Sequence, residues 1–214
     1  MSSKHSGFTL VEIAIVLIII GLLLGGVLKG QELINSAKVK SLAQDFRQVP
    51  LFIYGYQDKF KRLPGDDPSP DGSRFAAYRL ATRSGQTPGH GIIDGAWNAT
   101  DVTSENVLFW QHVRGAGLAV GSTDFASTAT ANLPANAEGG QVGLQMTPPI
   151  LGLGGNYYLC SAGINNRLAR QLDAALDDGA PDKGTVRAQA TWNTGAGGDA
   201  SYVDGASYTV CMAF

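Results

Sequence analysis

The longest apolar segment limits what this chain can fold into more than any other feature. Residues Phe8 to Leu28 read FTLVEIAIVLIIIGLLLGGVL, and Glu12 is the one charged residue among them. At about 1.5 Å per residue, a helix of this length spans about 31 Å, which matches a bilayer hydrocarbon core of about 30 Å. Other apolar stretches are short and interrupted by glycine, proline or charge. The sequence therefore predicts one membrane-spanning helix, at residues 8–28.

The overall composition excludes several classes of protein. The chain has 214 residues and a net charge of −2, with 16% charged and 44% hydrophobic residues. This is too apolar for a disordered acidic chain, and the chain lacks the positive net charge of a typical nucleic-acid binder, so no nucleic-acid partner is inferred. The 28 glycines are nearly twice the usual share of about 7%. They indicate a loop-rich globular part.

A secretory signal peptide is the first alternative for the apolar segment. Such a peptide has an apolar region of about 7–15 residues, followed by a small-residue cleavage site. Here the run is longer, and the following residues, KGQELINSAKVK, contain no such site. The small residue, Gly7, instead precedes the run and ends a short polar leader, MSSKHSG. This order favours cleavage on the cytoplasmic side, with loss of residues 1–7 and retention of the apolar helix.

Glu12 is unusual in a membrane segment. An acid at such a position costs about 2.5–3.5 kcal/mol on insertion scales and is by default a functional hypothesis. If the chain is cut after Gly7, Phe8 carries a new α-amine, which could neutralise Glu12 of a neighbouring subunit as the helices stack. The alternative is that Glu12 lies near the membrane surface and needs no partner.

The junction GFTLVEIAIVLIIIG resembles the class III leader junction of type IV prepilins and type II secretion pseudopilins. The resemblance rests on Gly7, Phe8 and Glu12 at the family's spacing. It implies that a prepilin peptidase cuts between Gly7 and Phe8, that Phe8 is then N-methylated, and that Glu12 recruits the subunit during assembly. Many family members carry a proline later in the segment, where this chain has a glycine pair, Gly25-Gly26. We interpret the pair as a soft point in the helix, because glycine is a poor helix former.

Residues 29–62 are predicted to continue the helix in amphipathic form. Apolar side chains recur there at steps of three and four, which is typical of a helix with one buried stripe. The stripe consists of Val39, Leu42, Phe46, Val49, Ile53, Tyr56 and Phe60. Pro50 interrupts the pattern and is expected to bend the helix. A cluster of helix breakers beginning at Leu63 ends it.

Residues 63–214 are predicted to form a globular head. Helical patterns cover 104–117 and 164–179, and alternating or β-branched segments predict strands at 141–146, 156–163, 186–192 and 206–214. We therefore expect an α+β, pilin-like fold, in which a long N-terminal helix packs against a small antiparallel sheet.

The two cysteines, Cys160 and Cys211, each fall in a predicted strand. They can form at most one intramolecular disulfide, or remain as two buried thiols. A bridge across about 50 residues would stabilise the head by about 4 kcal/mol in the chain-entropy model and would need an oxidising compartment. The family resemblance implies the bridge, because members commonly link their C-terminal region in this way.

Sequence motifs typical of catalytic, nucleotide-binding or metal sites are absent from the sequence. It has no G-x-S-x-G elbow, no P-loop and no G-x-G-x-x-G, and neither His90 nor His112 belongs to an H-x-x-x-H or C-x-x-C pattern. We therefore predict a protein that is not an enzyme, with no catalytic residue and no cofactor. His112 is expected to be packed or at the surface.

Calcium is the one ligand that the sequence raises. Asp67 and Asp71 fit the first half of an EF-hand loop, but Tyr78 stands where its bidentate acid is due. A second acidic turn contains Asp177, Asp178 and Asp182. Because turns attract aspartate without any metal, these residues are weak candidates.

Three functional hypotheses are compatible with the sequence. The first is a subunit of a type IV pilus that polymerises with its own copies and related pilins. It would be processed by the prepilin peptidase/N-methyltransferase and assembled by inner-membrane machinery, passing from the inner membrane, with its head periplasmic, into an extracellular filament. The second is a pseudopilin of a type II secretion system, within a periplasmic pseudopilus. The third is a single-span, membrane-anchored binding domain. We favour the first.

Overall fold

The computed structural model describes residues 7, 9–68, 89–125 and 132–214. The chain divides into two compact units, Met1–Lys38 and Val39–Phe214. The predicted α+β, pilin-like fold is confirmed, because a long N-terminal helix and a small antiparallel sheet are its main elements.

The first helix, α1, runs from Leu10 to Phe60. It lies within the predicted 8–62 and contains Pro50, after which it continues for ten residues. The predicted stripe is confirmed, because five of its members are buried; they are Leu42, Phe46, Val49, Ile53 and Tyr56. The two ends of the stripe, Val39 and Phe60, are only half-buried. The helix ends where Lys61 adopts a left-handed φ of 56°.

Two shorter helices belong to the head. Helix α2 spans Glu105–Gly115 and α3 spans Asn166–Leu176, so both lie inside the predicted ranges. The prediction placed the start of α3 two residues too early. Asn165 instead ends a strand and caps α3, since its side-chain oxygen accepts a hydrogen bond from the amide of Leu168 at 3.1 Å.

The four predicted strands are present. Three are shorter than predicted, and the second begins and ends two residues later. The strands are β1 at Val142–Gln145, β2 at Tyr158–Asn165, β3 at Val186–Gln189 and β4 at Ser207–Ala213. They form one antiparallel sheet in the order β1-β2-β4-β3. The central pair is therefore β2 and β4, which are far apart in sequence.

Both faces of the sheet are covered. Side chains that alternate along β2 and β4, such as Leu159 and Val210, pack into the main core with the buried stripe of α1 and with α2 and α3. The opposite face carries a smaller cluster, in which Trp97, Ile150 and Leu153 surround the two cysteines. The head thus has a sheet that is covered on both sides.

Candidate functional site

The apolar N-terminal part of α1 has its large side chains in solvent. Their exposed fractions range from 46% at Ile20 to 87% at Leu10. This part is long and apolar enough to cross a membrane, and none of its most apolar window is buried by the chain itself. A soluble protein does not leave so large an apolar surface in water, so the segment needs lipid or other apolar helices around it.

Glu12 lies in the first turn of α1 and forms a capping box with Thr9. The Thr9 amide and hydroxyl both donate to Glu12 Oε2, at 2.8 and 2.7 Å, and the Glu12 amide donates back to Thr9 Oγ1 at 3.3 Å. These bonds satisfy backbone groups at the helix start that have no partner within the helix. We did not predict this arrangement, although the spacing Thr-x-x-Glu is its usual sequence signature.

The predicted cleavage bond joins Gly7 to Phe8. Gly7 is exposed, whereas Phe8 lies outside the described residues. Cleavage after Gly7, methylation of Phe8 and recruitment through Glu12 therefore remain predictions.

The two cysteines form a disulfide across the central strand pair. Cys160 of β2 and Cys211 of β4 face each other in the antiparallel register, with their Cα atoms 4.1 Å apart. Both are fully buried. The bridge that the family resemblance implied is thus present, and it closes a sequence separation of 51 residues.

The first calcium candidate is only partly described. Asp67 is buried, and its Oδ2 accepts a hydrogen bond from the hydroxyl of Tyr56 at 2.9 Å. Asp71, the other predicted ligand, lies outside the described residues. The bond from Tyr56 accounts for part of the hydrogen-bonding capacity of Asp67 without a cation.

The second candidate is an acidic turn after α3. Carboxylate oxygens of Asp173, Asp177 and Asp178 lie within 4.8 Å of one another. Asp177 accepts from the amides of Thr185 and Val186. The turn is therefore held by hydrogen bonds from the backbone, as turn aspartates usually are.

Asp173, which the sequence did not single out, is fully buried. It accepts hydrogen bonds from the hydroxyl of Tyr202 at 2.8 Å and from the amide of Gly179 at 3.2 Å. Burial raises the pKa of Asp173 above its usual value of 3.8, and these two bonds oppose the rise. Asp178 accepts from Ala180, while Asp182 is not a member of this acidic group.

A further polar cluster joins Asp66, His90, Asp94 and Glu105, and sequence analysis did not find it. The His90 ring lies between two carboxylates, with Nδ1 2.9 Å from Asp66 Oδ1 and Nε2 3.1 Å from Asp94 Oδ2. Glu105, at the start of α2, accepts a hydrogen bond from the Asp94 amide at 2.8 Å. The spacing of His90 and Asp94, four residues apart, is the only signal in the sequence that hints at it.

Burial and nearby charges shift the pKa values of two groups in this cluster. Burial raises the pKa of Glu105 to about 7. Partial burial works against the charged form of His90, but the hydrogen bond to Asp66 and the charges of Asp66, Glu105 and Asp94 together outweigh it and raise the pKa of the imidazole. The cluster therefore gathers several acids around one histidine.

His112 is packed in the interior of the head. It is fully buried in α2, and its Nδ1 accepts a hydrogen bond from the amide of Gly65 at 2.8 Å. This bond ties α2 to the loop that follows α1.

Comparison with known protein families identifies a motif at the N-terminus. Residues 2–28 match the family model of the prokaryotic N-terminal methylation motif, which is the leader signal of type IV pilins and pseudopilins. No curated protein and no solved structure matches the chain. The matched segment carries the prepilin leader, so the chain has the N-terminus of a pilin-like or pseudopilin precursor. This motif is typical of structural subunits rather than of enzymes.

Proposed function

We propose that this chain is a structural subunit of a type IV pilus, cut after Gly7, methylated on Phe8 and polymerised through α1. One observation carries the proposal. The methylation motif lies on a helix whose apolar side chains, from Leu10 to Leu28, are exposed in the single chain. Before assembly a bilayer would cover these side chains. In a filament, the same helix of neighbouring copies would replace the lipid.

Glu12 is proposed to direct this assembly. An acid in an apolar environment is costly unless a partner neutralises it. Cleavage after Gly7 would create an ammonium on Phe8, four residues before Glu12. A neighbouring copy that offers this ammonium to Glu12 would favour one axial offset between the helices.

Processing would be performed by the prepilin peptidase/N-methyltransferase, and extrusion by the inner-membrane assembly machinery. The disulfide between Cys160 and Cys211 supports a head that matures in an oxidising compartment, such as the periplasm. We place the subunit in the inner membrane before assembly and in an extracellular filament afterwards.

N-terminal mass spectrometry tests the processing step. The mature protein is expected to begin at Phe8 and to carry one N-methyl group, which adds the mass of CH2. Gly7→Leu should block the cut, whereas Gly30→Ala, a glycine with open space around it, should leave it intact. A mature protein that still begins at Met1 would refute the proposal and favour a membrane-anchored binding domain.

Variants of the capping box test the role of the charge separately from that of the helix cap. Glu12→Gln removes the charge but keeps an oxygen that can accept from Thr9, whereas Thr9→Val keeps the charge and removes the hydroxyl contact. We expect Glu12→Gln to reduce filament yield strongly, and Thr9→Val to reduce it less. Glu32→Ala is the matched control, because Glu32 is an exposed acid of α1 paired with Lys29.

Recovery of filaments distinguishes a pilus from a pseudopilus. The subunit should be present in filaments sheared from the cell surface and visible by electron microscopy. If deletion of the gene instead blocks secretion of exported proteins and no surface filament contains the subunit, the protein is a pseudopilin.

A further inference from the structure

Three segments of the head meet at the polar cluster of Asp66, His90 and Glu105. Asp66 follows α1, His90 belongs to a loop, and Glu105 begins α2. One donor atom from each lies within 4.8 Å of the others. Asp66 and Glu105 are buried, at 3% and 0% exposure, while 32% of the His90 side chain is exposed. The cluster is thus built inside the head and has one side open to solvent.

The backbone holds the Asp66 carboxylate in place. Its Oδ1 accepts from the amides of Gly89 and His90, and its Oδ2 accepts from Gly91 at 2.7 Å. A carboxylate oxygen can accept more than one bond, so Oδ2 keeps a lone pair for a further ligand. Three backbone amides therefore orient Asp66 in addition to its contact with the His90 ring.

Glu105 gives the observation that points to a cation. Its Oε2 accepts from the Asp94 amide, but its Oε1 is buried and has no hydrogen-bond partner within residues 9–68, 89–125 and 132–214. A buried carboxylate oxygen without a partner is costly. This oxygen belongs to a side chain that converges on Asp66 and His90, and Asp94 lies beside the ring. A positive ion bound among these groups would give the buried Glu105 oxygen a favourable contact.

We propose that Asp66, His90 and Glu105 bind one divalent transition-metal cation of the zinc class, with Asp94 orienting the His90 ring. Imidazole nitrogen together with carboxylate oxygen is a donor set that suits zinc, whereas calcium prefers oxygen ligands alone. Zinc bonds to these donors are about 2.0–2.2 Å long, so the tetrahedral ligands of one ion lie about 3.3–3.6 Å apart. The donors here lie within 4.8 Å of one another and need to close by about 1.5 Å at most. The open side of His90 provides a path for the ion.

The consequence is a metal cross-link between three segments of the head. Because the ion would bind the folded head and not the unfolded chain, it would raise the free energy of unfolding with the logarithm of the free-ion concentration above its Kd. This inference concerns the head and does not depend on whether α1 polymerises.

Metal titration of the full-length chain in detergent tests the proposal. Metal-free protein is expected to bind one Zn²⁺ per molecule, measured by calorimetry and elemental analysis, and to unfold at a higher temperature with Zn²⁺ than with chelator. His90→Ala and Glu105→Gln should each weaken binding at least about tenfold, since loss of even an outer-shell partner costs 10- to 100-fold. Binding that neither variant weakens would overturn the proposal, as would the absence of saturable binding.

Control variants test whether acids and a histidine outside the cluster contribute to zinc binding. Asp58→Asn changes a carboxylate that is 90% exposed at the end of α1, Asp178→Asn changes the acidic turn, and His5→Ala removes the histidine of the leader. All three should bind Zn²⁺ like the wild type. If Ca²⁺ binds and Zn²⁺ does not, the assignment to a zinc-class cation is wrong.

X-ray absorption at the zinc edge of the wild-type protein needs no substitution, so it remains decisive if a variant fails to fold. The expected spectrum shows one imidazole nitrogen together with oxygen ligands. A spectrum with several imidazoles or with sulfur would overturn the proposal.

Discussion

The hydroxyl of Tyr56 donates a hydrogen bond to the carboxylate of Asp67 at 2.9 Å, and both side chains are buried. Tyr56 lies in the penultimate turn of α1, and Asp67 lies in the loop that leaves the helix. The bond therefore connects the stripe of α1 to the first residues of the head. It also supplies a structural reason for a buried aspartate that the sequence suggested as a calcium ligand.

Tyr56→Phe is expected to destabilise the head by about 1–3 kcal/mol, because it leaves a buried carboxylate with one donor fewer. Urea unfolding of the full-length chain in a mild detergent measures the loss. All three tryptophans, Trp97, Trp110 and Trp192, are in the head, so their fluorescence reports its unfolding. Tyr54→Phe is the control, because Tyr54 is 54% exposed, and an equal loss in both variants would contradict the prediction.

Gly143→Ala is expected to destabilise the head by several kcal/mol or to prevent its folding. A Cβ added at Gly143, in β1, would overlap the carbonyl oxygen of Trp97, and a backbone atom cannot move aside as a flexible side chain can. Gly154→Ala is the matched control, since its Cβ would have open space around it. Thermal unfolding compares the two, and the prediction fails if Gly143→Ala melts within a degree or so of Gly154→Ala.

Replacement of both cysteines by alanine should cost about 4 kcal/mol in the chain-entropy model, because the bridge closes a separation of 51 residues. The double variant Cys160→Ala/Cys211→Ala should unfold at the same urea concentration with and without reductant. The wild type should shift to lower urea when reduced. A wild-type curve that reductant does not move would show that the bridge adds no stability.

Tyr202→Phe should destabilise the head in a pH-dependent way. Burial already holds the pKa of Asp173 above 3.8, and the Tyr202 hydroxyl opposes that shift by donating to the charged form. Without this donor the folded-state pKa of Asp173 rises further. Asp173 of the folded variant therefore keeps its proton to a higher pH than Asp173 of the unfolded chain does. Its stability relative to the wild type therefore falls as the pH rises through the folded-state pKa of Asp173.

We expect a loss of about 1–3 kcal/mol near neutral pH and a smaller loss at about pH 3, where Asp173 is protonated in both proteins. Urea unfolding at the two pH values measures the difference. A loss that stays the same at both values would mean that Tyr202 does not act through the charge of Asp173.

Secondary structure was largely predictable because it follows local patterns. The stripe from Leu42 to Tyr56 follows the helical period, and the four strands carry alternating or β-branched residues. Helix ends were less predictable, because they depend on single side chains. Asn165 lies inside the predicted helix at 164–179 but is the N-cap of α3. The Thr9–Glu12 capping box likewise depends on two side chains, although its spacing is visible in the sequence.

Functional residues were predictable where they are adjacent in the sequence, and were not where only the fold brings them together. The leader junction at Gly7, Phe8 and Glu12 is contiguous, so it can be recognised without a fold. The cluster of Asp66, His90 and Glu105 cannot, because its members come from three loops and helix ends with no common motif. Asp173 was missed for a similar reason, since only the packing of α3 shows that it is buried against Tyr202.

Sequence alone determined that this chain has an apolar helix that water cannot solvate, since the length and composition of one segment decide that property. It also determined the prepilin leader, which is read from adjacent residues. Tertiary structure decided the register that places Cys160 opposite Cys211, and the convergence of acids on His90. Such contacts join residues distant in the chain, and their geometry is set by how the sheet and helices pack around a shared core.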